Sequence, residues 1–229
     1  MTPGDISGPL VEERARLSLG TSATAIYRMV ASALAGRHSG GGTLLDVGCG
    51  RGQLWPFVSD RFDRYTGADV VEYDGFPADG EFVRVDLDSG RVRLPDGFAD
   101  VVAAVETIEH LENPRAFARE LSRLAKPGGW IVITTPNQLS MLSKLTLSVR
   151  NEFNAFRAGS YPAHLTALLE IDLRRIAAEC DWADVALTYT HRGRIPGLRW
   201  HWPRAISKLL PRAFSDNVAL LGRKSEARG

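Results

Sequence analysis

Leu44-Leu45-Asp46-Val47-Gly48-Cys49-Gly50-Arg51-Gly52 is the stretch that decides how this 229-residue chain folds. A short apolar run enters a loop with glycine at every second position. Glycine lets the backbone turn sharply and approach a ligand without side-chain collision. A helix starting at Gln53 would aim its free amides at that ligand. The spacing is G-x-G-x-G, not the G-x-G-x-x-G of a dinucleotide loop, which seats a pyrophosphate at the helix N-terminus. Asp46, two positions before Gly48, would repel a pyrophosphate. It suits the ammonium group of a cationic amino-acid cofactor.

Downstream, strands alternate with helices. The spacing predicts strands over Thr43–Val47, Tyr65–Ala68 and Phe82–Val85, the second ending at Asp69 and the third at Asp86. Ala99–Val105, Trp130–Thr135, Ala183–Thr190 and Val218–Leu221 complete seven. Helices are expected from Gln53 to Ser59, with Pro56 tolerated in its first turn, and from Pro114 to Ala125, capped by Asn113 and stopped by Lys126-Pro127-Gly128-Gly129. Another covers Glu170–Cys180. Such alternation implies an α/β fold with a mostly parallel, doubly wound sheet.

One domain is expected over 1–229, with a helical leader over 1–38, a cofactor-binding half over 39–136 and a substrate-side half over 137–229. The leader carries apolar helical spacing over Val11–Leu19 and Ala23–Leu34, as a lid or a homodimer element would. Two connections are long for such a fold, 137–169 and 191–215. Insertions at the strand ends of an open sheet usually carry substrate-binding parts.

Asp69 is placed to accept hydrogen bonds from both hydroxyls of a ribose. Asp86 could accept from an adenine amine, with Leu87 packed on the ring. Taken together, Leu44–Gln53, Gly67-Ala68-Asp69, Val85-Asp86-Leu87, Glu106-Thr107-Ile108-Glu109-His110-Leu111 and Lys126–Gly129 resemble the successive motifs of class I (Rossmann-like) S-adenosylmethionine-dependent methyltransferases. The resemblance covers roughly 40–136, more loosely to 190. It implies a seven-stranded sheet with an antiparallel last strand, and cofactor contacts at Asp46, Gly48, Gly50, Asp69 and Asp86. Cys49 and Gln53 belong to the same motif, and Glu106 lines the cofactor pocket.

In-line methyl transfer needs alignment of nucleophile and methyl, and a base when the nucleophile is a hydroxyl. His110, after the fourth strand, is the candidate base, since imidazole titrates near neutrality. His164 is a second candidate. Each could equally be a residue of helix start or loop with no chemical role. Glu106-x-x-Glu109-His110 is similar to the same stretch in ubiquinone-biosynthesis O-methyltransferases. Acids there are associated with a divalent ion in some members, which leaves room for magnesium without assigning a metal site. Asn137 and Tyr161 are candidate substrate contacts.

Val185 to Ser215 contains no Asp or Glu but carries Arg192, Arg194, Arg199, Arg204, Lys208 and Arg212 beside Trp200 and Trp202. This suits either a lid with arginines facing water, or peripheral contact with a membrane through 191–215. The acceptor implied is a small molecule, a glycan or a lipid-linked compound. With a formal net charge of +1, nucleic acid is not expected. Two cysteines without paired spacing and no signal-like N-terminus fit a cytoplasmic protein. Two other readings remain, a non-catalytic S-adenosylmethionine-binding protein and a nucleotide-dependent oxidoreductase. Asp46 and the glycine spacing count against the second.

Overall fold

The computed structural model describes residues 12–13, 15–16, 19–88 and 91–226. Its centre is a seven-stranded sheet in the order β3-β2-β1-β4-β5-β7-β6. The strands are β1 Thr43–Val47, β2 Arg64–Asp69, β3 Glu81–Arg84, β4 Ala99–Ala104, β5 Ala125–Pro136, β6 Trp182–Tyr189 and β7 Asn217–Lys224. β1 to β5 run parallel, and β7 runs antiparallel to both β5 and β6. The antiparallel last strand is as the resemblance implied.

Strand residues alternate between two buried faces. Leu45, Val102, Ile131, Ile133 and Leu220 belong to one core. Helices α2 (Pro114–Leu124) and α4 (Glu170–Glu179) cover it with Phe117, Leu121, Leu173 and Ile176. Leu44, Val101, Val132 and Leu221 belong to the other. Helix α1 (Thr24–Ala35) covers that side with Ile26, Val30 and Leu34. Burial on both sides explains why these strands read as near-continuous apolar runs. Asn113 caps α2, its Oδ1 accepting from Ala116 N at 3.0 Å.

The helix expected over Gln53–Ser59 is absent. The chain makes two 3-10 turns instead, Trp55–Phe57 and Ser59–Arg61. Pro56 has no amide to donate, and Trp55 leaves the helical path to stack on Tyr65, ring centroids 5.0 Å apart. Lys126–Gly129 ends α2 as expected but lies inside β5, where Ala99 pairs with Ala125 and Val101 with Trp130. Four residues bulge out opposite Asp100, whose carboxylate holds Lys126 Nζ at 2.8 Å. Within the leader's first segment, Val11–Leu19, residues Val11, Arg14, Leu17 and Ser18 lie outside the described residues.

The long insertion 137–169 forms helix α3, Met141–Arg150, and 191–215 contains the short helix α5, Arg204–Leu209. Both leave the carboxyl-end edge of the sheet, 137–169 from β5 and 191–215 from the edge strand β6, while the strand order reverses between β1 and β4. Open α/β sheets bind ligands at that crevice.

Candidate active site

A cavity of about 550 Å³ occupies the crevice, within the range usual for small-molecule sites. β1 delivers Asp46 and the glycine loop, β2 delivers Asp69, and β3 runs into Asp86 and Leu87. β4 leads to Glu106, Glu109 and His110. The insertion 137–169 contributes Tyr161 and His164.

Asp46 is 2% exposed. Its Oδ2 accepts from the Tyr65 hydroxyl at 3.0 Å. Its Oδ1 is buried without a hydrogen-bond partner among the described residues. Burial pushes this carboxyl up to about 7, against the stabilising Tyr65 hydrogen bond and with help from the charge of Asp69. A buried acceptor with nothing to accept from is ready for a cation or donor.

The loop amides do not face the ligand. Gly48 N bonds Ala68 O at 2.7 Å, Gly50 N bonds Asp69 Oδ2 at 2.8 Å and Arg51 N bonds Gly20 O at 2.9 Å. With no helix following, the expectation of amides aimed at the ligand is corrected. The glycines instead let neighbouring segments pack directly against the loop backbone. A Cβ on Gly48 (φ +76°) would lie 2.3 Å from Thr107 Oγ1, and one on Gly50 (φ +51°) 2.4 Å from Gly20 O.

Asp69 also ties the loop down. Besides Gly50 N, its carboxylate accepts from Val70 N at 2.7 Å and Val71 N at 3.3 Å. Burial raises its pKa and these amides oppose the rise. Asp86 and Leu87 line the same wall, and Asp86 Oδ1 accepts from Asp88 N at 3.0 Å. Cys49 lines the cavity as a buried thiol pushed well above its usual range by burial, and so stays protonated.

Glu106 follows β4 with φ +51°, a strained geometry for a side-chain-bearing residue. Thr134 holds it there. Its Oγ1 accepts from Glu106 N at 2.9 Å and donates to Oε1 at 2.8 Å, while Asn217 Nδ2 donates to Oε2 at 2.8 Å. Burial pushes Glu106 up to about 7. Glu109 is fully buried with neither carboxylate oxygen in a hydrogen bond among the described residues. Burial, then the nearby Glu106 charge, push it well above the usual carboxylate range.

His110 and His164 meet edge to face, ring centroids 4.8 Å apart. Nδ1 of His110 bonds Ala163 O at 2.6 Å, and Nδ1 of His164 bonds Ala155 O at 2.7 Å. A carbonyl only accepts, so each Nδ1 carries the hydrogen. In the neutral rings Nε2 is therefore the basic nitrogen. Burial lowers the His164 pKa, against its bond to Ala155. Ligand atoms of Glu109, His110 and His164 all lie within 4.8 Å of one another, so this trio could hold a metal ion.

Two expected site residues lie elsewhere. Gln53 is exposed and outside the cavity, because the chain turns away where the helix was expected. Asn137 is buried, and its side chain is taken up by the backbone. Nδ2 donates to Arg212 O and Ser215 O, both at 2.8 Å, and Oδ1 accepts from Leu139 N at 3.0 Å. It fastens the two insertions together rather than facing a substrate. Tyr65, Thr107 and Tyr27 are site residues that motif reading missed. Tyr27 lines the cavity from α1 and its hydroxyl accepts from Ser22 N at 2.7 Å.

This strand order and a cavity bounded by a glycine loop and successive strand-end acids define the Rossmann-like methyltransferase class. The chain belongs to the methyltransferase-domain family, whose model matches residues 23–187. It is 32% identical over 118 residues to a protein of Mycolicibacterium smegmatis named a probable S-adenosylmethionine-dependent methyltransferase, over 50% of this chain and 44% of that one. It is 34% identical over 116 residues to a ubiquinone biosynthesis O-methyltransferase of Chromobacterium violaceum, over 44% of this chain and 48% of that one. The chain thus spans about half the length of these curated relatives or less. A crystal structure of a SAM-dependent methyltransferase from Archaeoglobus fulgidus shares the fold, with a TM-score of 0.63 and 21% identity over 94% of this chain and 98% of that one.

S-adenosylmethionine is the cofactor that membership implies. The cavity fits it: the unpartnered Asp46 oxygen, the glycine loop and the acids Asp69 and Asp86 all line it.

Proposed function

We propose that the chain methylates a hydroxyl oxygen of a small, glycan or lipid-linked acceptor, with His110 as the general base. S-adenosylmethionine supplies an electrophilic methyl on a sulfonium when bound. Asp46 holds its ammonium group, and Asp69 and Asp86 hold its nucleoside. His110 Nε2 takes the acceptor's proton, with the ring fixed by Ala163 O. The observation carrying this reading is the pairing of His110 with His164 on the cavity wall, each oriented through Nδ1 by a carbonyl. A nitrogen nucleophile would place less demand on a base. The likeness to ubiquinone biosynthesis O-methyltransferases points the same way.

The test is transfer of labelled methyl to a panel of catechols, hydroxylated lipids and sugars. Turnover by the parent and its loss in His110→Ala, with S-adenosylhomocysteine affinity retained, supports the reading. Cofactor binding without transfer to any member leaves a non-catalytic binding protein. A second reading of the same wall rests on the unpartnered Glu109 carboxylate. A divalent cation held by Glu109, His110 and His164 would sit beside the acceptor oxygen. Titrating magnesium, manganese or zinc into the parent and Glu109→Gln, read by calorimetry, separates this from simple base catalysis.

A further inference from the structure

The substrate-side insertions carry an apolar and basic surface that the cofactor site does not use. On α3, Met141, Leu145 and Val149 recur at helical spacing and all are exposed, Val149 at 74%. In the second insertion Trp200 is 75% exposed and Leu209 79%. Trp200 sits on a tight turn closed by the bridge between Arg194 and His201. The two segments are fastened together, with Met141 N on Ala213 O at 2.8 Å and Asn137 Nδ2 on Arg212 O and Ser215 O.

Charge on this surface has one sign. Neither 137–151 nor 185–215 contains an Asp or Glu. Arg194 and Arg212 are neutralised by Asp216 and Glu170. Lys144, Arg150, Arg192, Arg199, Arg204 and Lys208 are exposed and in no ion pair among the described residues.

We infer that this face docks on an anionic phospholipid bilayer, with Val149, Trp200 and Leu209 entering the headgroup region and the six unpaired cations meeting lipid phosphates. Tryptophan beside arginine, and short helices with exposed leucines among basic residues, are the chemistry of an interfacial anchor. A second copy of the chain fits worse, since a two-fold contact through this face would set these cations against themselves. The mode is lying on the bilayer, because among the described residues no helix is long and apolar enough to cross one.

The docked face adjoins the cavity. Asn154 N bonds Ser143 Oγ of α3 at 3.3 Å, and the next residue's carbonyl holds His164. An acceptor carried in the membrane would meet the His110–His164 wall from this side. Docking is read without turnover, so it stands or falls apart from the identity of the acceptor.

The experiment is vesicle flotation of the whole chain, with phosphatidylcholine vesicles against mixed phosphatidylglycerol and phosphatidylcholine. Binding should require phosphatidylglycerol and weaken as salt rises. Arg199→Ala and Lys208→Ala should each lower the partition coefficient about fivefold. Trp200→Ser with Leu209→Ser should remove the salt-resistant part. Thermal midpoint and S-adenosylhomocysteine affinity should stay at parent values. The inference is overturned if the parent ignores phosphatidylglycerol at low salt, or if the variants float like the parent. It is also overturned if light scattering shows a dimer that Trp200→Ser and Leu209→Ser dissociate, or if the face retains duplex DNA and not vesicles.

Discussion

The Tyr65 hydroxyl donates to Asp46 Oδ2 across 3.0 Å, while Oδ1 of the same buried carboxylate has no partner among the described residues. The pair is poised between two states. Burial pushes Tyr65 far up, so its hydroxyl remains a donor. Asp46, raised from 3.8 to about 7, is neutral below that value and anionic above it. A bound ammonium favours the anion, so cofactor binding below about pH 7 releases a proton. S-adenosylhomocysteine affinity should therefore fall as pH drops through 7, by up to about tenfold per pH unit. Calorimetry across pH in buffers of different ionisation enthalpy reads both effects. Asp46→Asn should flatten the profile, and Tyr65→Phe should move its midpoint upward.

Stability without cofactor follows the opposite sign. A carboxyl raised on folding binds more protons in the native state. Stability is then highest below pH 4 as far as this group is concerned, and falls as pH rises towards 7. The rise from 3.8 to about 7 corresponds to about 4 kcal/mol. At pH 8 Asp46→Asn should melt higher than the parent while binding S-adenosylhomocysteine more weakly. A variant that melts lower at pH 8 would show that the carboxylate is compensated in the native state.

Gly50 and Gly75 separate backbone conformation from space. Both have positive φ, but only a Cβ on Gly50 strikes a neighbour, the Gly20 carbonyl at 2.4 Å, while Gly75 has open space. Gly75→Ala should cost about 1–2 kcal/mol from conformation alone. Gly50→Ala should add about 1 kcal/mol for the Arg51–Gly20 hydrogen bond it displaces. In a chain of this size each kcal/mol shifts the melting midpoint by about 2–4 °C. Only Gly50→Ala should also weaken cofactor affinity, because Gly20 and Gly50 both line the cavity. Equal shifts for the two variants would remove the role given to the Arg51–Gly20 hydrogen bond.

Asn137 is a structural clasp, and its substitution should behave like one. Asn137→Ala leaves the carbonyls of Arg212 and Ser215 and the amide of Leu139 without these partners. Losing the buried bond to Ser215 O costs about 1–3 kcal/mol, and the half-buried bonds to Arg212 O and Leu139 N cost less. The melting midpoint should drop by several degrees with KM for any acceptor nearly unchanged at lower temperature. A raised KM at full stability would restore Asn137 to the substrate side.

The sheet was legible because its cause is local. Short apolar runs such as Val101–Ala104 and Trp130–Thr135, alternating with helical segments, read as buried strands, and acids at strand ends mark the crevice. The strand-end acids Asp69 and Asp86 fell on the cavity for that reason. Gln53 failed because a helical pattern over 53–59 was overridden by Pro56 and by stacking of Trp55 on Tyr65. Asn137 failed because a residue at a strand end in the right crevice can still point into backbone from 75 positions away. Tyr65 was hidden for a related reason. Its contact with Asp46 depends on the β1–β2 register, which sets Asp46 opposite Gly67 and which no spacing in either segment reveals.

His110 is where chemistry and packing are most easily confused, so its test needs two readouts. If its Nε2 takes the acceptor's proton, His110→Ala should lower kcat by about 10²–10⁴-fold. Affinity for S-adenosylhomocysteine should be unchanged, since Asp46, Asp69 and the glycine loop are untouched. His164→Ala should lower kcat less, because that ring touches His110 edge to face and is itself held by Ala155 O. His110→Asn keeps a donor for Ala163 O while removing the basic nitrogen. It should therefore recover the melting midpoint of the parent without recovering turnover. Recovery of both would make His110 a positioning residue whose hydrogen bond to Ala163 matters and whose basicity does not.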